Sequence, residues 1–374
     1  MLLTGVKRDA TYPLPSYSDC CEIRVWLGCG LSPILTFVSL LFVLVKASRL
    51  KMSISLMLSG NGELLSELIP AISLQAEERG FDGLWFGETT LRDASILVAF
   101  AACSTRKIQL GTSILNVFTR TPSQLALLAS TLNEFSGGRF TLGLGVSTGA
   151  IVENWHGQAF QKPNHRLDET VKLLRQYFSG EKVSYEGLYS SPKGARLKTG
   201  LPPKIALAAL NDRMIAKAAQ IADRVILNLH PPQRIKHDLS IIDEACTRTG
   251  KSRPNLSVML YSYVLGDSEK GIDAGKDLVA FYASAPAYSS LFTSLGYESE
   301  AKAMTAAWKA KDRDAVKRAV TNEMVKRLTV LGTVQDLRER VKEYHQNGVD
   351  DVFIAPSPFG AYEANVREVL QHYF

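Results

Sequence analysis

What the 374-residue sequence lacks narrows its function first. Cysteine is scarce: there are five, three of them within the first 29 residues, and no two are spaced C-x-x-C. That excludes a disulfide framework and leaves Cys103 and Cys246 as isolated thiols, expected to be reduced. The six histidines are scattered, so no structural metal is expected. No H-E-x-x-H, no Ser–His–Asp spacing and no pair of carboxylates at neighbouring strand ends is found, which leaves hydrolase chemistry little to work with. Basic charge is also thin. The net charge is +6, and half of it comes from residues 1–51, where Lys7, Arg8, Arg24, Lys46, Arg49 and Lys51 face only Asp9, Asp19 and Glu22. The rest of the chain is close to neutral and carries no basic face, so no nucleic-acid partner is expected. Apolar sequence is what the chain has in quantity. At 46% hydrophobic and 21% charged it can bury a sizeable core.

One uncharged run stands apart. Residues 25–45 read VWLGCGLSPILTFVSLLFVLV, 21 residues with no charge, and a membrane-spanning helix needs about 20. Neither a short basic leader nor a small-residue cleavage site marks it as a cleavable signal. Two readings stand open. As an anchor, with Lys46, Arg49 and Lys51 following it, the run would keep the C-terminal bulk in the cytoplasm. Alternatively residues 1–51 are an extension ahead of the working domain, because Met52 opens MSISLMLSG, which reads as a first strand. On both readings residues 52–374 form the working domain with cytoplasmic chemistry, and a membrane is a partner only if 25–45 is an anchor.

From residue 52 onward, short apolar runs alternate with amphipathic helical stretches. Strands are predicted at 53–59, 82–88, 107–115, 139–146, 204–210, 224–230, 256–266 and 351–357, and helices at about 63–79, 93–105, 122–135 and 164–178 among others. Pro122 at the first turn and Gly137-Gly138 beyond the end bracket the third helix. Strands apolar throughout belong to a parallel sheet covered on both faces. Eight strand–helix units over about 320 residues predict a (β/α)8 TIM barrel with insertions; a doubly wound open sheet is the alternative. The insertions are a hairpin arm at 183–200 and a helical excursion at 268–330.

In such barrels the active site lies at the C-terminal strand ends. These are Gly87-Glu88-Thr89, Thr112 to Asn116, Val146 to Gly149, Asn211-Asp212-Arg213, His230, Tyr261 with Tyr263, and Pro356-Ser357. GLGVSTG (143–149) has the glycines of a phosphate-cradling loop, or else simply the small residues of a tight barrel mouth. LNDRM (210–214) places backbone N–H groups and Arg213 at a helix N-terminus that favours an anion, or Asn211 and Asp212 there as an N-cap. The aromatics Tyr261, Tyr263, Phe281 and Tyr282 suit either a partly apolar pocket or core packing.

At these residues the chain resembles the luciferase-like barrel family, in particular its branch using the 8-hydroxy-5-deazaflavin coenzyme F-420 and, within it, the methylene-tetrahydromethanopterin reductases. The matching stretches include ERGFDGLWFGE (78–88), KIQLGTSILNVFTRTPSQLALLASTLNEFSGGRFTLGLGVSTG (107–149), PPKIALAALNDRMIAKAAQIADRVILN (202–228) and MVKRLTVLGTVQDLRERVKEYHQNGVDDVFIAPS (324–357). They cover nearly all of 52–374 and none of 1–51. The resemblance implies a (β/α)8 barrel and a non-prolyl cis peptide at Ser113–Ile114, backing the deazaflavin ring. It implies cofactor contacts from Gly145, Val146, Ser147 and Thr148, from Leu210 to Arg213, and from Asn116. It also implies a homodimer or larger homo-oligomer paired through helices two and three, and the apolar character of 122–135 on more than one face agrees. Arg120 reads as part of the mouth or as a surface or capping arginine.

Three positions depart from the family pattern. Thr89 stands where many F-420 relatives have histidine, and Met57 and Thr148 stand where the reductases have carboxylates. Threonine cannot protonate a substrate nitrogen as a carboxylic acid can. Glu88 is left as the one strand-end carboxylate expected to act as an acid or to tune the ring. The resemblance therefore implies F-420-dependent hydride transfer with a small organic substrate other than the pterin. An FMN-dependent monooxygenase and a non-catalytic barrel are the alternatives.

Overall fold

The computed structural model describes residues 52–64, 66–198 and 200–374; residues 25–45, with their reading as an anchor, lie outside the described residues. Among the described residues no helix is long and apolar enough to cross a membrane.

Eight parallel strands close on themselves: β1 (Ser53–Leu58), β2 (Gly83–Phe86), β3 (Gln109–Thr112), β4 (Phe140–Gly145), β5 (Lys204–Ala209), β6 (Arg224–Asn228), β7 (Asn255–Tyr263) and β8 (Asp351–Pro356). Each pairs with the next, and β8 returns to β1 with Ser53 opposite Asp351 and Leu56 opposite Ile354. This is the predicted TIM barrel, and the closing β8–β1 pairing excludes the open-sheet alternative.

The first six strands are each followed by one principal helix: α1 (Ile69–Arg79), α2 (Ala94–Ser104), α3 (Pro122–Phe135), α4 (Pro163–Phe178), α5 (Asp212–Ile221) and α6 (Ile235–Thr249). After β7 come five helices of the predicted excursion, α7 (Ser268–Ala283), α8 (Pro286–Ser294), α9 (Glu298–Lys309), α10 (Arg313–Ala319) and α11 (Asn322–Leu328). The outer ring resumes with α12 (Val334–Gln346) and ends with α13 (Tyr362–His372) after β8. The arm is a hairpin in which Lys182–Val183 pairs antiparallel with Ala195–Arg196. Helix α1 starts at Ile69 rather than near 63, because Pro70 lacks an N–H and is tolerated only in a first turn. Thr121 closes a capping box at the start of α3 with Gln124.

Alternation along the strands sorts the core into two. Leu56, Leu84, Leu110, Leu142 and Leu227 point outward under the helices, while Met57, Trp85, Ile226, Met259 and Phe353 fill the barrel. Each such fully buried side chain contributes roughly 1.5–3 kcal/mol. Trp85 stacks on Phe353 with centroids 4.5 Å apart, and Gly111 leaves room for it, since a Cβ there would lie 2.3 Å from the indole.

Below this aromatic layer the barrel floor is polar. Asp351 accepts from Ser55 Oγ at 2.9 and 3.0 Å and pairs with Arg224 at 2.8 Å. Burial pushes the Asp351 carboxyl up, opposed by Arg224 and Ser55. The guanidinium lies 5.4 Å from the Trp85 ring centroid and 5.8 Å from that of Phe353. The floor is thus filled, and open space lies at the C-terminal ends. On the outside, Ile96, Phe100 and Leu127 of α2 and α3 are exposed.

Candidate functional site

The open space is a cavity of about 760 Å³ at the C-terminal strand ends, roofed by α7 to α10. It lies within the size range of small-molecule sites. The strands present small residues at this level, so the barrel mouth stays open: Gly87, Ser113, Gly145 and Ala208 all line it. A Cβ on Gly87 would lie 2.9 Å from Met57 Cε, and one on Gly145 would lie 2.9 Å from Ile114. Either addition would narrow the space.

One wall is built by β3 and β4. The strand breaks at a cis Ser113–Ile114 peptide, as the resemblance implied, and resumes as Leu115–Asn116 beside Gly145. Ser113 donates its N–H to Phe86 O at 2.7 Å, while its Oγ is buried without a partner at the cavity edge. Ser147 takes a left-handed conformation, φ 59°, which turns the loop after β4. Among the described residues, the Ser147 and Thr148 amides have no backbone acceptor. Thr148 Oγ1 accepts from Ile151 N at 3.3 Å, in the first turn of the short helical segment Ala150–Trp155. A flat ring with polar edges and a phosphate tail fits this wall. The unpaired Ser113 Oγ and the free amides are the groups that such a ligand would satisfy.

Of the residues singled out in the sequence, Glu88, Ser113, Ile114, Gly145, Val146, Ser147, Thr148 and Leu210 line the cavity. Asn116, Asn211, Asp212 and Arg213 lie outside its wall. Asn116 is buried, with Oδ1 accepting from Phe118 N at 2.8 Å and Nδ2 unpaired. Asn211 caps α5 through Met214 N at 3.0 Å, and Asp212 pairs with Arg234 at 2.8 Å and His237 at 3.1 Å. His230, at the end of β6, is fully buried between Asp238 and Leu210 O at 2.8 and 3.1 Å, and holds the Leu210 backbone in place.

Glu88 is not a free carboxylate. Arg120 grips both its oxygens at 2.6 and 2.8 Å, and Ala94 N at the start of α2 donates to it at 3.2 Å. Arg120 also reaches Asp93 at 2.8 Å. Burial pushes Asp93 up, but Ser95 and Arg120 outweigh it and the carboxyl ends below its ordinary value. Glu88 and Arg120 thereby lock the loop after β2 to the loop after β3.

The opposite wall holds residues that sequence reasoning left out. Asn228 at the end of β6 and Tyr288 of α8 join Tyr261 and Tyr282 at the cavity. Asn228 Nδ2 donates to Tyr288 Oη at 2.6 Å, and the Tyr261 and Tyr282 hydroxyls are hydrogen-bonded to each other. Burial raises all three phenols, Tyr261 and Tyr288 well above the ordinary tyrosine value. The clustering of tyrosines in and after strand seven was the available signal. Only the folding of the excursion over the mouth brings Tyr288 to Asn228.

The sequence and the fold both match known proteins. The chain shares 31% identity over 296 residues with 5,10-methylenetetrahydromethanopterin reductase of Archaeoglobus fulgidus, covering 76% of this chain and 88% of that protein. Its fold superposes on the coenzyme F-420 dependent tetrahydromethanopterin reductase of Methanopyrus kandleri with a TM-score of 0.71, at 23% identity over 86% of this chain and 97% of that one. It also superposes on the oxygenating constituent of 3,6-diketocamphane monooxygenase of Pseudomonas putida, solved with FMN, with a TM-score of 0.61 at 16% identity, over 86% of this chain and 97% of that one. At these identities the two superpositions show a shared fold. The family model for luciferase-like monooxygenases matches residues 63–351, and the chain belongs to that family.

Proposed function

We propose that the chain is an F-420-dependent oxidoreductase that moves a hydride to or from a small organic substrate. The observation that carries this reading is the β3–β4 wall: the unpaired Ser113 Oγ and the free amides of Ser147 and Thr148 bound one cavity. The similarity to a methylenetetrahydromethanopterin reductase supports the deazaflavin over FMN. When bound, F-420 supplies a ring carbon that accepts or gives up a hydride.

The chain's own residues do the rest. Ser113 and Ile114 back the ring, and the Ser147 and Thr148 amides hold the tail. Glu88 and Arg120 fix the loops that frame the mouth. The α7–α10 roof excludes water and orients the second reactant, which is the main requirement of hydride transfer. Met57 and Thr148 in the places of the reductases' carboxylates argue against the pterin as that reactant.

The test is an anaerobic assay with reduced F-420 and a panel of small organic oxidants. Recovery of the oxidised F-420 absorbance without oxygen is the expected result. Turnover only with reduced FMN and oxygen would make the chain a monooxygenase, and turnover with neither would make it a non-catalytic barrel.

A further inference from the structure

The wall facing the Ser113–Ile114 bulge carries a set of polar side chains that the reading above does not use. Strands β3 and β7 stand four places apart in a ring of eight, so their ends face each other across the mouth. A ring backed on the bulge leaves the β6–β7 side of the cavity for the second reactant. Tyr261, Tyr282, Tyr288 and Asn228 line that side, and Tyr261 and Tyr288 are 2% and 8% exposed.

Their hydrogen bonds do not close. Three phenols bring three protons, and one is used within the Tyr261–Tyr282 bond. The other member of that pair has a proton to spare. Tyr288 accepts from Asn228 and its own proton meets no acceptor. Asn228 Oδ1 is buried without a partner. Turning the amide over would give Oδ1 to the Tyr288 hydroxyl and leave Nδ2 as the open group, so a buried donor still faces no acceptor. A buried donor or acceptor left open is costly, so an open set on a cavity wall marks where a ligand atom belongs.

The count of donors and acceptors says which atom. In the orientation of the amide shown, two O–H donors and one acceptor are left open on one side of the cavity. A carbonyl oxygen takes both donors on its two lone pairs. The hydroxyl formed by its reduction takes one donor and gives its own proton to Asn228 Oδ1. The cluster contains no charged side chain. Lys317, at the cavity, is closed on Asp273 and Asp277 at 2.7 and 2.9 Å, and Arg313 and Asp314 line the cavity from α10, a helix that contributes nothing to the cluster. Around the cluster Ile226, Met259, Phe281, Trp308 and Phe359 offer apolar and aromatic surface.

We propose that the Tyr261–Tyr282–Tyr288–Asn228 cluster seats the oxygen of a neutral, largely apolar carbonyl compound, or of the alcohol it interconverts with, and exchanges the proton that accompanies hydride transfer. The proposal rests on the deazaflavin reading above. In the reductive direction a hydride passes from the reduced deazaflavin to the carbonyl carbon. The carbonyl π pair moves onto oxygen, which takes a proton from a tyrosine hydroxyl. Water at the mouth returns a proton to the phenolate. The sum is carbonyl compound and reduced deazaflavin giving alcohol and oxidised deazaflavin: the ring gives up its hydride and, to water, its N–H proton, which balances the proton that water returns to the tyrosine. Burial keeps these phenols protonated until the far more basic alkoxide forms.

The test uses the full chain loaded with F-420, with cyclohexanone and acetophenone as neutral probes and pyruvate as a charged one. Infrared difference spectra read the probe's carbonyl stretch, and Tyr288→Phe and Tyr282→Phe remove one hydroxyl each while keeping the packed rings. The expected result is a carbonyl stretch moved to lower frequency on binding and moved back in the variants. With it, kcat for the neutral ketone falls by about 10²-fold or more while F-420 affinity changes less than about twofold. The proposal is overturned if F-420 binds but neither ketone binds or is reduced, if pyruvate is preferred, or if both variants keep the stretch and kcat. Failure to bind F-420 at all overturns the cofactor reading as well, and is distinguished by the titration alone.

Discussion

At the scale of single residues, the partners of a carboxylate decide its work. Glu88 sits at the cavity, yet both oxygens are taken by Arg120 and one also by Ala94 N, so its service is to hold two loops together. Glu77 does the same away from the site. It accepts the backbone N–H groups of Arg106, Lys107 and Ile108, which begin the segment leading into β3. Burial pushes the Glu77 carboxyl up, but the three backbone bonds and Arg139 outweigh it and leave it below its ordinary 4.5. A depressed carboxyl adds stability above its unfolded pKa and loses it as pH falls through the folded value. Glu77→Gln should therefore cost about 1 kcal/mol at pH 7 in urea denaturation, the site being partly solvated. The gap to the wild type should close as pH is lowered below 4.5. A gap independent of pH would assign the effect to packing instead of charge.

At the scale of elements, the barrel floor ties four strands through one ion pair. Arg224 begins β6 and Asp351 begins β8, while Ser55 of β1 and Ser257 of β7 complete their hydrogen bonds. Removing the cation strands a buried carboxylate, at a typical cost of about 3–5 kcal/mol. Arg224→Met should thus lower the thermal midpoint sharply, and pairing it with Asp351→Asn should recover a large part of the loss. If the double variant is no more stable than the single one, the pair is not what holds the floor.

The strands were legible because each is apolar throughout and followed by a helical period, so the eight-unit count survives errors at the ends. The start of α1 was not, because Pro70 outweighs an amphipathic pattern that begins earlier. The Ser113–Ile114 cis peptide came from resemblance alone, since no local composition marks it. The tyrosine wall was half visible. Tyr261 and Tyr282 stood out, but Asn228 and Tyr288 lie 60 positions apart and meet only when the helices after β7 fold over the mouth. The helix start at Asn211–Arg213 lies outside the cavity wall, with Asn211 capping Met214 N and the Asp212 carboxylate held by Arg234.

At the scale of the whole molecule, a closed ring with a filled polar floor and an inserted roof leaves a large cavity, with the Ser113–Ile114 segment on one side and phenols on the other. The division of labour follows from that geometry: cofactor against β3 and β4, second reactant against β6, β7 and the roof. Its central claim is that the first wall is made for a deazaflavin. The most direct test is a pair of equilibrium titrations of the purified chain, with F-420 and with FMN, followed by absorbance and fluorescence. The expected result is saturable F-420 binding at least about tenfold tighter than FMN, a difference of about 1.4 kcal/mol. FMN binding as tightly as F-420, or more tightly, would contradict it.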